Sequence, residues 1–108
     1  MIGVPSSKLK RFLRDKPYII ATDEGEAVCY AVGEYLATGI GGAVFMDSNG
    51  FANALEPLTS LVIPYKIPIQ LIIGLREDCE QHAIMGREMY NILSDLSEYG
   101  NIHIKIIQ

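Results

Sequence analysis

The chain has 108 residues, room for one domain and one hydrophobic core but not for two. Its net charge of −4, with no long basic stripe, argues against nucleic-acid binding. Hydrophobic content is 49%, yet no apolar run approaches the roughly 20 residues of a membrane span, so the excess apolar surface points to a protein–protein interface and not to a membrane.

Taken in order, strand-like and helix-like runs alternate. Met1-Ile2-Gly3 reads as the tail of a first strand whose beginning is missing. After the Gly3-Val4-Pro5 turn, Ser7–Arg14 reads as a short helix with Ser6 or Ser7 as N-cap, and it carries the local cluster Lys8, Lys10, Arg11 and Arg14. Tyr18–Thr22 reads as a strand. Glu24–Thr38 reads as a helix stopped by Gly39. Ala43–Asp47 is the next strand and Ser48-Asn49-Gly50 the turn after it. Phe51–Val62 reads as a helix, with Pro57 kinking it or displacing its start. Pro68–Gly74 is almost wholly apolar, which predicts a strand buried on both faces. Gln81–Glu98 is an amphipathic helix, with Ala83, Met85, Met89, Ile92, Leu93 and Leu96 on its apolar side. Asn101–Ile107 is the last strand. The alternation predicts an α/β three-layer sandwich around a parallel sheet.

The acidic cluster Asp23-Glu24-Gly25-Glu26 sits at a strand–helix junction. Asp23 as N-cap and Glu26 three residues later fit a capping box, and acids in the first turn complement the helix dipole. That leaves Glu24 unexplained. Gly25 is unexplained too, since glycine costs about 1 kcal/mol in a helix and is what close approach of a flat ligand would need. Neither GxxxxGK[ST] nor GxGxxG occurs, so the chain has no phosphate cradle of its own. Two separated histidines and two separated cysteines lack metal-ligand spacing. Two cysteines make no disulfide framework and predict a reducing cytoplasm. Polar groups at Ser6–Ser7, Glu24, Ser48–Asn49 and Gln81–His82 all follow strand ends, which converge on one edge of a parallel sheet and form a binding-site hypothesis.

The order of these loops resembles the pyrimidine-binding (PYR) domain of thiamine-diphosphate-dependent decarboxylases, in particular the phosphonopyruvate and sulfopyruvate decarboxylases and the alpha subunit of the latter. The residues that carry the resemblance are Gly3-Val4-Pro5-Ser6-Ser7, Glu24-Gly25-Glu26-Ala27-Val28 running to Leu36-Ala37-Thr38-Gly39, Met46-Asp47-Ser48-Asn49-Gly50-Phe51-Ala52-Asn53-Ala54, Tyr65-Lys66-Ile67-Pro68, and Gln81-His82-Ala83-Ile84-Met85-Gly86. The resemblance covers nearly the whole chain. It implies the PYR fold in an N-terminally shortened form, with residues 1–108 as one cofactor-binding domain.

The resemblance also implies roles. Glu24 takes the place of the glutamate that hydrogen-bonds the aminopyrimidine ring of thiamine diphosphate and so promotes loss of the thiazolium C2 proton. Asn49, Gly50 and Asn53 match the loop beside that ring. His82 is implied as a catalytic proton carrier, and Ser7, Gln81 and Arg76 as substrate-facing groups. Lys8 and Arg87 are further bases that could meet an anionic substrate. Family members hold the cofactor's diphosphate and a Mg2+ ion with a Gly-Asp-Gly…Asn motif in a separate domain. No Gly-Asp-Gly occurs here. The expected partner is therefore a diphosphate-binding subunit, in a homo- or hetero-oligomer, and the expected substrate a small anionic 2-oxo acid. The implied reaction is decarboxylation of 3-sulfopyruvate to sulfoacetaldehyde. The alternatives are phosphonopyruvate decarboxylation, or a non-catalytic PYR-like domain that dimerises or regulates a partner. The family pattern Gln-Asn/Ser-Ser-Gly-Leu-Gly-Asn is altered here at Asp47, Ser48, Asn49, Phe51 and Ala52, and Leu75-Arg76-Glu77-Asp78 keeps an arginine without the glycine that usually follows.

Overall fold

The computed structural model describes residues 1–77 and 79–108; Asp78, the last residue of the 75–78 segment, lies outside them. The elements are β1 (Ile2–Gly3), α1 (Lys10–Leu13), β2 (Ile19–Ile20), α2 (Glu24–Thr38), β3 (Gly42–Asp47), α3 (Phe51–Pro57), β4 (Ile69–Gly74), α4 (Glu80–Ser97) and β5 (Ile102–Ile107). The five strands form one sheet in the order β2-β1-β3-β4-β5, and every pairing is parallel. The winding reverses between β1 and β3. In open parallel sheets, ligands bind beyond the carboxyl ends of the strands at such a reversal.

Strand alternation divides the core in two. Val44 and Met46 of β3, with Leu71 and Ile73 of β4, pack against Val28 and Val32 of α2, Ala54 and Leu58, and Met89 and Leu93 of α4. Phe45 and Ile72 point the other way, against Leu9 and Leu13 around α1. Burying each such side chain contributes about 1.5–3 kcal/mol. The α1 layer is thin. Its four residues leave Gln70 of β4 exposed, so this strand is not covered on both faces along its whole length, as its apolar run predicts.

The local differences have local causes. The 7–14 helix shrinks to Lys10–Leu13, with 7–9 as a turn. Arg14 turns extended (ψ 130°) and Asp15 adopts φ 63°, which ends the helix. The Ser6 hydroxyl accepts from the Leu9 amide at 3.3 Å, so Ser6 caps this turn. β2 shortens to two residues: the Ile19 and Ala21 amides donate to the Met1 and Gly3 carbonyls, at 2.9 Å each, before the chain enters the cap of α2. α2 keeps the predicted bounds. Gly39 closes it at φ 76°, its amide donating to the Tyr35 carbonyl at 2.7 Å.

Pro57 neither displaces the start of its helix nor breaks it. A 3-10 turn, Ser48–Gly50, leads directly into α3. Pro57 is the last residue of α3, and having no N–H it leaves the Asn53 carbonyl without its helical donor. The chain then widens into a π-turn over Leu58–Val62, where the Ile63 amide reaches the Leu58 carbonyl at 3.0 Å.

Candidate active site at the carboxyl edge of the sheet

Asp23 caps α2 by accepting the Glu26 amide at 2.8 Å, as the sequence pattern requires. The reciprocal bond is shifted by one residue. Glu26 Oε1 accepts from the Thr22 amide at 2.9 Å and not from the cap residue's own amide. Both flanking acids are thus occupied by the backbone, and Glu24 alone is left to project from the first turn.

Glu24 is held from the β3 side. Asn53 Nδ2 donates to Glu24 Oε2 at 3.0 Å. Oε1 lies against Gly50, where any Cβ would overlap Oε1 and Cδ and come within 2.9 Å of Cγ. Gly50 has ordinary right-handed backbone angles (φ −94°, ψ −5°), so this glycine is needed for space and not for conformation. Gly25 serves the helix–helix contact: a Cβ there would stand 2.9 Å from the Asn53 carbonyl oxygen, the same carbonyl that Pro57 leaves without its helical donor. The close approach expected of a flat ligand at Gly25 is therefore made by the α3 backbone.

A second cluster bridges the winding reversal. Asp47, the last residue of β3, is buried, and its Oδ1 accepts the Ser6 hydroxyl at 2.5 Å from the loop after β1. Its Oδ2 meets Arg76 Nη1 at 3.3 Å from the loop after β4. The buried Ser48 hydroxyl accepts the Arg76 amide at 2.9 Å. Asp47 lies opposite Gly74 in the β3–β4 register, where a Cβ would sit 2.8 Å from Asp47 Oδ1. Residues 47–53 thus tie three strand-end loops to the first turn of α2.

The structure brings together Glu24, Gly50 and Asn53, with Asn49 exposed in the same turn. Arg76 stands in the neighbouring Asp47 cluster. Gln81 and His82 occupy the first turn of α4, which packs on the 48–50 turn and places Gly86 against the Arg76 carbonyl. Among the described residues neither side chain makes a hydrogen bond, so both are left available to a ligand or another chain. Ser7 is exposed and opens toward α1, lining a cavity there with Lys10 and Arg14. Sequence reasoning missed the pairing of Ser6, Asp47 and Arg76. The available signal was an acid closing an apolar strand and an arginine two residues after the next strand.

No protein-family model matches the chain. It is 40% identical over 96 residues to a phosphonopyruvate decarboxylase of Streptomyces hygroscopicus, covering 79% of this chain and 24% of that protein. It is 36% identical over 85 residues to the sulfopyruvate decarboxylase subunit alpha of Methanococcus maripaludis, covering 73% and 50%. It is 37% identical over 101 residues to the subunit of the same name from Methanocaldococcus jannaschii, covering 84% and 59%. By sequence, the chain is related to the phosphonopyruvate and sulfopyruvate decarboxylases.

The chain spans about a quarter of the phosphonopyruvate decarboxylase and about half to three-fifths of the alpha subunits it matches. Among the described residues no helix is long and apolar enough to cross a membrane, and no group of three or more His, Cys, Asp and Glu is placed to hold a metal. The residues around Glu24 suit an aminopyrimidine. One carboxylate oxygen is fixed by an amide, the other lies over a glycine, and the half-exposed carboxylate keeps acceptor capacity for a ring N–H.

Proposed function

We propose that this chain supplies the pyrimidine-binding half of a thiamine-diphosphate-dependent decarboxylase acting on 3-sulfopyruvate, with 3-phosphonopyruvate as the alternative substrate. The observation that carries the reading is the Glu24 carboxylate, held by Asn53 and seated on Gly50 at the carboxyl edge of the sheet. When bound, thiamine diphosphate supplies the carbon nucleophile and electron sink that a 2-oxo acid needs to lose CO2. Glu24 holds a proton shared between its carboxylate and a ring nitrogen. Asn53 fixes the carboxylate through Oε2 and leaves Oε1 to the ring, while Asn49 borders the same turn. His82, with Gln81, moves protons to and from the reacting acid. Arg76 faces the anionic substrate, and Asp47 holds its guanidinium in place.

The diphosphate and its Mg2+ belong, in this reading, to a partner chain with a diphosphate-binding domain, so that the active site forms between chains. The word "subunit" in the names of the alpha relatives supports this. Free Cys29 and Cys79 accord with a reducing cytoplasm. The altered 47–53 loop supports a second reading, a non-catalytic domain that dimerises with or regulates a partner.

Glu24→Gln separates the two. In the complex reconstituted with the partner chain, it should lower turnover on sulfopyruvate or phosphonopyruvate by about 10²-fold or more while the fold persists. Near-normal turnover by the variant sinks the assignment of Glu24. Absence of turnover in the unmutated complex with either substrate favours the non-catalytic domain.

A further inference from the structure

The two edges of the sheet differ in chemistry. β5 closes one side, and its exposed residues are His103 and Lys105, polar side chains of the kind that keep an edge from pairing with another chain. β2 closes the other side with Ile19 and Ile20, which are 46% and 66% exposed, and Tyr18 before them is exposed as well. No charged side chain lies within this run of three.

The backbone of β2 is half used. The Ile19 and Ala21 amides donate inward, to the Met1 and Gly3 carbonyls at 2.9 Å each. Successive peptide groups of a strand alternate in direction, so the Ile20 N–H and C=O turn outward, where the sheet has no further strand. The side chains alternate as well. Ile19 is level with Ile2, which packs on the α2 side. Ile20 is level with Gly3, and the Tyr18 ring is held edge-on to Phe45 on the α1 side, with centroids 5.2 Å apart. Apolar side chains therefore stand on both faces of an open edge. The flanks of β2 are opposite in charge. Arg14 and Lys16 precede it, with Asp15 between them, and Asp23 and Glu26 follow it, all of them exposed. Two copies with β2 strands antiparallel about a two-fold axis bring the cations of each flank against the acids of the other, twice. A parallel mate would set like charges side by side.

We propose that β2 is the contact of a symmetric dimer: a second copy of this chain lays its β2 antiparallel along the open edge and joins two five-stranded sheets into one. Centred on Ile19, the pairing sets Ile20 opposite Tyr18 of the other copy on the α1 side, an aromatic–β-branched pair of the kind that stabilises a sheet. Ile19 meets its own mate on the α2 side. The contact is small. Three side chains and a few backbone bonds fall short of the roughly 800 Å² per partner of a standard interface, so this dimer forms and dissolves with concentration. The edge lies outside the residues assigned to cofactor and substrate, and the proposal stands whether or not the decarboxylase reading does.

The test is sedimentation velocity of the full chain from about 1 μM to about 1 mM, the range in which a weak dimer dissociates. The expected result is a reversible monomer–dimer equilibrium that goes no further, because a two-fold contact closes on itself. Isotope-filtered NOE spectra of a mixed labelled and unlabelled sample should show the Tyr18 ring of one copy against the Ile20 methyls of the other. Ile20→Lys, at a position two-thirds exposed in the single chain, should weaken dimerisation by about tenfold or more. Leu36→Lys, which places the same charge on the exposed side of α2, should leave it unchanged. The NOE measurement needs no variant, so a misfolded Ile20→Lys chain does not spare the proposal. It is overturned if the chain stays monomeric across the range or grows beyond a dimer, if no Tyr18–Ile20 contact forms between copies, if Ile20→Lys associates as the parent does, or if Leu36→Lys dissolves the dimer.

Discussion

Gly50→Ala should separate activity from stability. The new Cβ would overlap Glu24 Oε1 and Cδ and approach Cγ to 2.9 Å, against ordinary carbon contacts of about 3.5–4.0 Å. The atoms it strikes are the free end of a flexible side chain, so the carboxylate gives way by about 1 Å and the backbone stays. That movement removes the Asn53–Glu24 hydrogen bond, a loss of about 0.5–1.5 kcal/mol. Alanine adopts the Gly50 backbone angles without strain and returns about 0.4–1 kcal/mol by restricting the unfolded chain. The two terms nearly cancel, so Tm should move by no more than about 5 °C. A carboxylate displaced by about 1 Å from a reacting ring costs about 10²-fold in rate. The assays are thermal denaturation of the chain, the Asn53 side-chain amide resonances, and turnover of the reconstituted complex. Turnover within about twofold of the parent, or a collapse of Tm, refutes the reasoning.

Gly25→Ala should behave in the opposite way. Its Cβ would meet the Asn53 carbonyl at 2.9 Å, and this is backbone that cannot swing aside, so α2 and α3 must separate. Overpacking of this kind costs about 1–3 kcal/mol, visible as a lower denaturation midpoint; an unchanged midpoint would show that the helices are not in contact there. Asp47→Asn removes the charge that pairs with Arg76 and strengthens the Ser6 bond. It should destabilise the chain by about 1–3 kcal/mol, and Arg76→Gln added on top should cost little more. Additive losses in that double-mutant cycle would show that the two residues act independently.

Much of the fold is legible because its determinants are local. The bounds of α2 follow from an N-cap acid at Asp23, a run of helix formers and a glycine that alone tolerates φ 76°, all readable without knowing the partners. β3 and β4 announce themselves by apolar runs, β5 by an imperfect alternation and α4 by its stripe. The short elements are different. β1, β2 and α1 have two, two and four residues, too few for a period, and their limits are set by what their neighbours donate.

The site divides along the same line. Sequence alone singles out Glu24, because its flanking acids have capping duties and it has none, and the family resemblance adds Gly50 and Asn53. What only the tertiary structure decided is how these residues are spent. Gly25, which in sequence invites a ligand, is used by the Asn53 carbonyl. Gly50, which reads as turn chemistry, is the floor under a carboxylate. Asp47, which reads as part of a polar turn, joins three loops across the winding reversal. The physical reason is one of distance. Caps and stops act over three or four residues and leave their pattern in the string, whereas Glu24 meets Asn53 across 29 residues and Ser6 meets Asp47 across 41, separations that only the parallel sheet brings within a hydrogen bond.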